Sequence, residues 1–562
     1  MKSERFHRIL TGVLILSFFT VVTAVTPAAA QVPAGAVASD PAYGMVNPDE
    51  AGCTSIMVAK GASTDGSVIT CHSCDGNYRT WLNIVPHTTH QAGSERDIYW
   101  GRLHTETAWD MRRMTLKGTI PQVGETWAYM NVGYPCMNEK GLAIGETTIG
   151  GRGDLRNRDG LFLIENLQAI VLERCTTARE AIRLIGELVA EYGYGDNGEC
   201  LTFADAHEVW HFEIMGSTIL EIGAVWAAVR IPDDHVGVSA NIPRISTLDL
   251  DDPDHYMASD NVFSLAEEMG WYDPSSNEPF KWWKAYGRTD REGNPTPPYS
   301  TREFFILSTM APSLGLTRDM EELPFSVKPD EKVSVRDVMR YYRETYEGTD
   351  LDASQNLTVA QRRYNRETGQ FEVGEKVTSP LACNWTVGRD LGQLVNELVP
   401  GTVESQRTIA IAGCSYSQVI QCRDWLPPEI GTVAWFSFDN PGQSPRIPIF
   451  AGTLRLPPSF EICCQHRFRT DAAGWWFRRA NRLSMIVWGR TRGMIEEAVM
   501  AFEDRAFTEL PAVEQIYLDM VRTDYDAARE YITQYTNDFA HAAMHKWWEL
   551  GDELWAIYAR GW

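Results

Sequence analysis

Cys53 follows Gly52 and opens the apolar run Thr54-Ser55-Ile56-Met57-Val58, after which Lys60-Gly61-Ala62-Ser63-Thr64-Asp65-Gly66-Ser67 reads as a turn. A thiol is a weak nucleophile until something takes its proton. A cut between Gly52 and Cys53 would give one residue both a thiol and an α-amine, with reference pKa values of about 8.5 and about 7.7–8.0. Nucleophile and base would then share a residue, and no separate histidine or aspartate would be needed. The small Gly52 leaves room for the thiol to attack the preceding carbonyl, which would make the cut autocatalytic. Local sequence leaves equally open a buried structural cysteine at the start of a strand.

Other residues invite chemistry less strongly. Cys71-His72-Ser73-Cys74 is a Cys-x-x-Cys motif. Zinc would require two more ligands at recognisable spacing, and no second pair appears. A redox role expects a helix N-terminus, whereas this segment reads as the end of a hairpin. A disulfide or plain packing is the better reading. His87 and His90 fall in a polar loop and read as solvated surface. His211 alternates with Trp210 and Phe212 on a strand and reads as a satisfied, half-buried histidine.

What must position Cys53 is a large chain. Lys2, Arg5 and Arg8 precede an apolar stretch from Ile9 to Val25, and Ala28-Ala29-Ala30 offers a cleavage site. Residues 1–30 therefore read as a signal peptide, in preference to an uncleaved anchor, and predict a protein exported to the periplasm or beyond the cell. Residues 31–52 are rich in Pro, Ala and Gly and read as a propeptide or linker. About 510 residues follow Cys53, enough for a large core. The net charge of −24 argues against nucleic acid or anionic lipid as partners. Setting Cys53 aside, ten of the eleven cysteines remain, and export would permit disulfides among them.

Ile56-Met57-Val58-Ala59 and Ser67-Val68-Ile69-Thr70 flank Thr64-Asp65-Gly66 as a hairpin. Strands are also expected in Gly124–Tyr134, Leu142–Thr148, Thr202–Ala204, Val209–Glu213, Val236–Ala240, Thr408–Cys414, Ser417–Cys422 and Thr432–Phe436. Apolar residues at helical spacing mark Phe162–Tyr192, with a restart after Thr176-Thr177; Ser334–Tyr346 and Asp471–Trp562 follow the same period. Pro253–Arg302 reads as a loop-rich insertion. Hairpins, a helical pair, more strands and late helices predict an α+β protein.

From Cys53 onward the chain resembles peptidase family C69, the dipeptidase A-like members of the N-terminal-nucleophile hydrolases. The likeness is carried in order by Cys53–Val58 with Gly61–Ser67, by Asn138-Glu139-Lys140-Gly141 running on to Thr148, and by Ser239-Ala240-Asn241-Ile242-Pro243-Arg244-Ile245. Arg407-Thr408 and Trp425–Trp435 complete it. The resemblance implies a four-layer αββα sandwich over residues 53–470, with a helical region at 471–562 packed on it. It also implies a cysteine nucleophile at Cys53 and hydrolysis of dipeptides or short peptides, without metal or organic cofactor.

The more distant penicillin V acylase and bile-salt hydrolase branch suggests further roles. Asp75 matches an aspartate that holds the α-amine and substrate near the nucleophile, though it could cap a turn with Gly76-Asn77. Asn241 matches an asparagine that helps stabilise the oxyanion, though it could close a turn. Arg302, in Ser300-Thr301-Arg302-Glu303, matches a site arginine or is a surface residue. Glu146 binds a substrate amine or is a buried structural carboxylate. Two departures stand out. His72 occupies the place of an arginine three residues before the aspartate, and Thr148 that of an asparagine in the acylase branch. The second oxyanion donor is thereby left open to a backbone N–H. The reading is an exported cysteine dipeptidase, a homo-oligomer being compatible with it. An N-acyl amide hydrolase of the acylase type and a catalytically silent exported binding protein are the alternatives.

Overall fold

The computed structural model describes residues 52–76, 81–387, 390–464 and 467–559. The expected signal peptide, the linker up to residue 51, and Asn77 lie outside them. No described helix is long and apolar enough to cross a membrane.

Two antiparallel sheets carry the site. One has seven strands, in the order Ser326–Val327, Val236–Ser239, Ser55–Val58, Val68–Asp75, Cys414–Cys422, Val433–Phe438 and Ile447–Phe450. The other has eight, in the order Tyr256–Ala258, Ala224–Arg230, Val209–Gly216, Glu199–Ala204, Ala143–Thr148, Met137–Asn138, Tyr129–Asn131 and Asn83–Val85. The hairpin expected after Cys53 forms, with Val58 opposite Ile69. Its turn is built as the sequence dictates: Asp65 Oδ1 accepts from the Ser67 amide at 3.0 Å and from its hydroxyl at 2.6 Å, and Gly66 takes φ 82°, which costs a residue without Cβ nothing. In the Asn138–Gly141 turn, Asn138 Oδ1 accepts from the Lys140 and Leu142 amides, and Gly141 takes φ 90°.

The sheets touch through small and hydroxyl side chains. Thr70 Oγ1 lies 2.6 Å from Thr202 Oγ1, and Thr147 Oγ1 lies 2.6 Å from Ser239 Oγ. Gly145 is a point of close approach: a Cβ there would sit 2.3 Å from the Cys71 carbonyl oxygen on the facing sheet and 2.4 Å from Thr202 Oγ1 on its own. The missing side chain at 145 brings the next residue, Glu146, up to the strands that carry Cys53 and His72.

Helices Ile164–Arg174 and Ala178–Tyr192 pack on the eight-stranded sheet. The break between them is fixed by Thr177, which caps the second helix in a capping box with Glu180. Thr301–Met310, Val335–Tyr341, Ala473–Ser484 and Tyr525–Ala559 pack on strands of the seven-stranded sheet. Trp435 stacks on Phe507, centroids 4.5 Å apart, and ties the long Trp488–Val521 helix to that face. Each fully buried large apolar side chain of this kind contributes about 1.5–3 kcal/mol. The whole is an α+β protein.

Several expectations are corrected. Thr408–Gly413 is loop, and the strand runs unbroken from Cys414 to Cys422. Residues 253–302 hold a short strand and several short helical turns, and Phe280, Trp282 and Tyr286 from them form a second apolar cluster with Ile149, Met215 and Val225. An exposed hairpin, Thr358–Asn365 with Gln370–Thr378, had no counterpart in the sequence reading. The eleven cysteines are all buried thiols, so Cys71 and Cys74 pack rather than pair.

Candidate active site around Cys53

Cys53 stands just before the Ser55–Val58 strand, 4% exposed, and its thiol faces Glu146 with Sγ 3.8 Å from Oε2. Burial raises its pKa well above the usual thiol value; the nearby Glu146, Cys74 and Asp75 push the same way. In the uncut chain it is therefore a protonated thiol that needs a base.

Asp75 ends the next strand, Val68–Asp75, and its Oδ2 takes a close ion pair from Arg407 Nη2. Burial raises its carboxyl pKa despite the pull of Arg407 and Arg302. Among the described residues no N–H or O–H donor reaches its other oxygen, Oδ1. The Cys414 thiol is a further hydrogen-bonding neighbour of the carboxylate and opposes the effect of burial.

Asn241 follows the Val236–Ser239 strand with φ 68°, a left-handed conformation that asparagine tolerates better than most residues. One of its amide hydrogens goes to the Thr148 carbonyl oxygen, at 2.8 Å. Its Oδ1 accepts from Arg302 Nη2 at 3.1 Å. The second N–H of the amide is left for another acceptor.

Arg302 is held by helix capping. Ser300 caps the Thr301–Met310 helix, and Glu303 Oε2 accepts from the Ser300 amide at 2.8 Å. Glu303 Oε1 accepts from the Ala240 amide at 2.8 Å, which clamps the helix start to the strand that leads to Asn241. Arg302 then donates to the Cys53 carbonyl oxygen at 2.6 Å, to Thr54 Oγ1 at 3.1 Å and to the Ala240 carbonyl oxygen at 2.9 Å. The surface alternative for Arg302 is ruled out: it is fully buried.

Glu146 and Thr148 share one face of the Ala143–Thr148 strand, and Thr148 Oγ1 donates to Glu146 Oε1 at 3.3 Å. Thr148 thus offers the site a carbonyl oxygen and a hydroxyl bound to Glu146, not an oxyanion donor. Burial raises the Glu146 pKa to about 7. Glu199 and Asp196, its neighbours, are also raised by burial first, Glu199 well above the usual range.

His72 Nδ1 lies 2.5 Å from the Glu146 carbonyl oxygen. A carbonyl can only accept, so Nδ1 carries the proton, and Nε2 has no partner among the described residues. Burial lowers its pKa to about 4, so the ring is neutral at pH 7. It supplies no fixed cation. Arg407 does so instead, from the loop before the Cys414–Cys422 strand, and its Nη2 also donates to the Gly52 carbonyl oxygen at 2.5 Å. Arg407-Thr408 is part of the family likeness, but nothing local in the sequence marks a role for Arg407. Glu199 was missed altogether. Outside the site, His87 is ion-paired with Glu139 at 2.7 Å and Glu125 at 2.9 Å rather than simply solvated, and His211 is fully buried against Glu213 at 2.7 Å. Cys53, His72 and Glu146 offer ligand atoms within 4.8 Å of one another.

Around Cys53, at the start of a strand in an antiparallel sheet, Asp75, Asn241 and two arginines surround the backbone while Glu146 faces the buried thiol, which makes this the candidate active site. The model of peptidase family C69 matches residues 52–500, and the chain belongs to that family. It is similar to a probable dipeptidase of Salmonella dublin, 26% identical over 416 residues, 72% of this chain and 82% of that protein. A probable dipeptidase of Latilactobacillus sakei is 25% identical over 446 residues, 77% and 80% of the two chains. Probable dipeptidase A of Streptococcus pyogenes serotype M1 is 24% identical over 439 residues, 75% and 79%.

Proposed function

We propose that this protein is an exported cysteine dipeptidase of the αββα N-terminal-nucleophile type, unmasked by cleavage after Gly52. The observation that carries this is the convergence of Asp75, Asn241 and Arg302 on Cys53 from separate segments of the chain. The names of the curated relatives supply the substrate class.

Once cut, Cys53 has a free α-amine beside its thiol. Asp75 Oδ1, which no N–H or O–H donor of the described residues reaches, is the natural partner for that amine. The amine takes the thiol proton as Sγ attacks the dipeptide carbonyl. The oxyanion forms against the second amide N–H of Asn241 and a backbone N–H; one such donor contributes about 3–4 kcal/mol to the transition state. The protonated α-amine gives its proton to the leaving amine. Water then attacks the thioester, with the α-amine again as base, and restores the thiol. Arg302 holds the backbone of Cys53 in place through its carbonyl. Glu146, 3.8 Å from Sγ, stands where the ammonium of a dipeptide's first residue would come.

N-terminal sequencing of the purified protein together with a dipeptide panel tests the reading. A chain beginning at Cys53 that releases free amino acids supports it. Cys53→Ala is expected to lose on the order of 10⁶-fold in kcat, the scale of removing an activated nucleophile. A mature chain with Cys53 internal would sink the mechanism, and release of an acyl acid from N-acyl amides in place of dipeptide cleavage would move the protein to the acylase type.

A further inference from the structure

The α-amine that serves Cys53 in turnover does not exist before the Gly52–Cys53 bond breaks. In the uncut chain that nitrogen belongs to an amide and has no basic lone pair. The first attack therefore needs a different proton acceptor, and the Gly52 carbonyl needs a donor for the charge it develops. Two side chains already stand at those places. Glu146 Oε2 is the carboxylate oxygen facing the thiol, 3.8 Å from Sγ. Arg407 Nη2 is 2.5 Å from the Gly52 carbonyl oxygen. Arg407 is itself anchored on both sides, by the ion pair with Asp75 and by a bond from Nη1 to the Thr408 carbonyl oxygen.

We propose that Glu146 and Arg407 are the base and the charge-stabilising donor of a self-cleavage reaction at Gly52–Cys53, a task separate from substrate turnover. This rests on the reading of Cys53 as an N-terminal nucleophile. Glu146 takes the thiol proton as the Sγ–C bond to Gly52 forms, and the carbonyl π pair moves onto the oxygen held by Arg407. On collapse the C–N bond breaks, and the proton returns from Glu146 to the Cys53 nitrogen, now a free amine. Gly52 is left as a thioester on Sγ. Water hydrolyses it, releasing the Gly52 carboxylate and the thiol.

The junction is shaped for this. Gly52 takes φ 112°, a conformation other residues rarely adopt, and its Cα lies against the Asn241 side chain. Several titratable groups face Glu146. His72 is a neutral donor to its backbone; Glu199 and Asp196 are carboxyls raised by burial; Tyr194, Tyr416 and Cys200 are held protonated well above their usual values, burial being the largest cause. Glu146, with a pKa of about 7, matches a base used at that pH.

The test uses the full chain made in a reconstituted translation system free of proteases, with aliquots quenched in acid and read by intact mass. Wild type is expected to be cut after Gly52, faster as pH rises through about 7 and level above it. Cys53→Ala is expected to stay whole. Glu146→Gln and Arg407→Gln are each expected to slow the cut by about 100-fold or more, and Glu146→Gln to flatten the pH profile. Cutting of either Gln variant within threefold of wild type, with Cys53→Ala intact, would overturn this proposal alone. Cutting of Cys53→Ala at the wild-type rate would overturn it together with the N-terminal-nucleophile mechanism. If a Gln variant is degraded by limited proteolysis where Cys53→Ala is not, Glu146→Asp and Arg407→Lys decide: wild-type rates overturn the proposal, slowed cutting supports it.

Discussion

Gly52→Ala should nearly stop maturation while leaving the mature enzyme untouched. An added Cβ would lie 2.2 Å from Asn241 Oδ1, 2.4 Å from its Cγ and 2.5 Å from its Nδ2. Asn241 cannot swing away freely, because its amide is held by the Thr148 carbonyl on one side and by Arg302 on the other. The backbone is no more forgiving: φ 112° lies in a region open to glycine. Positive φ costs a non-glycine residue about 1–3 kcal/mol, and overpacking a tight site adds about 1–3 kcal/mol. The alternative is for the peptide to turn, which pulls the carbonyl oxygen off Arg407. A penalty of about 2–6 kcal/mol corresponds to cleavage roughly 30- to 10⁴-fold slower. The assay is the rate at which full-length chain converts to a form starting at Cys53, by intact mass. Gly52 is absent from the product, so molecules that do mature should show wild-type kcat/KM on dipeptides. Cleavage within threefold of wild type would refute the reasoning, because the clash and the backbone demand would then both be absent at the reacting junction.

Three more outcomes are expected. Asn241→Ala should lower kcat/KM on dipeptides by about 10²–10³-fold, the loss of one oxyanion donor; an unchanged kcat/KM would remove Asn241 from the chemistry. Glu303→Ala strips the helix cap and leaves the buried Ala240 amide without its acceptor, so it should cost about 2–4 kcal/mol in urea unfolding; an unchanged midpoint would refute the clamp. Because all eleven cysteines are thiols, dithiothreitol should leave the melting temperature where it was, and a fall beyond the scatter of repeats would reveal a disulfide.

Local rules made much of this molecule legible. The Thr64-Asp65-Gly66 turn, the two helices either side of Thr177, and the late helical region all announce themselves, because each is set by neighbours in sequence. The residues at the thiol divide differently. Asn241 falls within the ordered likeness and Asp75 matches an aspartate of the acylase branch; both lie at or just past a strand end. Arg407 and Glu199 did not stand out, for a physical reason. Arg407 lies in a loop with no periodicity, and it reaches Asp75 because Cys414 pairs opposite Asp75 in the sheet. That pairing joins segments far apart in the chain and leaves no local trace. Glu199 pairs opposite Thr148, so its carboxyl comes beside Glu146 through a register that sequence does not state. The stretch Thr408–Gly413 reads as strand by composition, yet it is the loop that holds Arg407 in position.

His72 stands in the place of an arginine. The charged and titratable groups around Cys53 fall into two sets. Arg302 and Arg407 lie with Asp75 and Asn241 beside the carbonyls of Gly52 and Cys53. Glu146 and neutral His72 lie beside the thiol, with Glu199 against Glu146. A fixed cation at position 72 would pair with Glu146, hold its pKa down and spoil it as a proton acceptor near neutrality. A neutral histidine that donates to the Glu146 backbone leaves the carboxyl to be governed by burial. His72→Arg is therefore expected to slow the cut after Gly52 by lowering the basicity of Glu146, shifting the pH at which the reaction levels off downward. A rate and pH profile equal to wild type would show that charge at position 72 is not felt at the thiol.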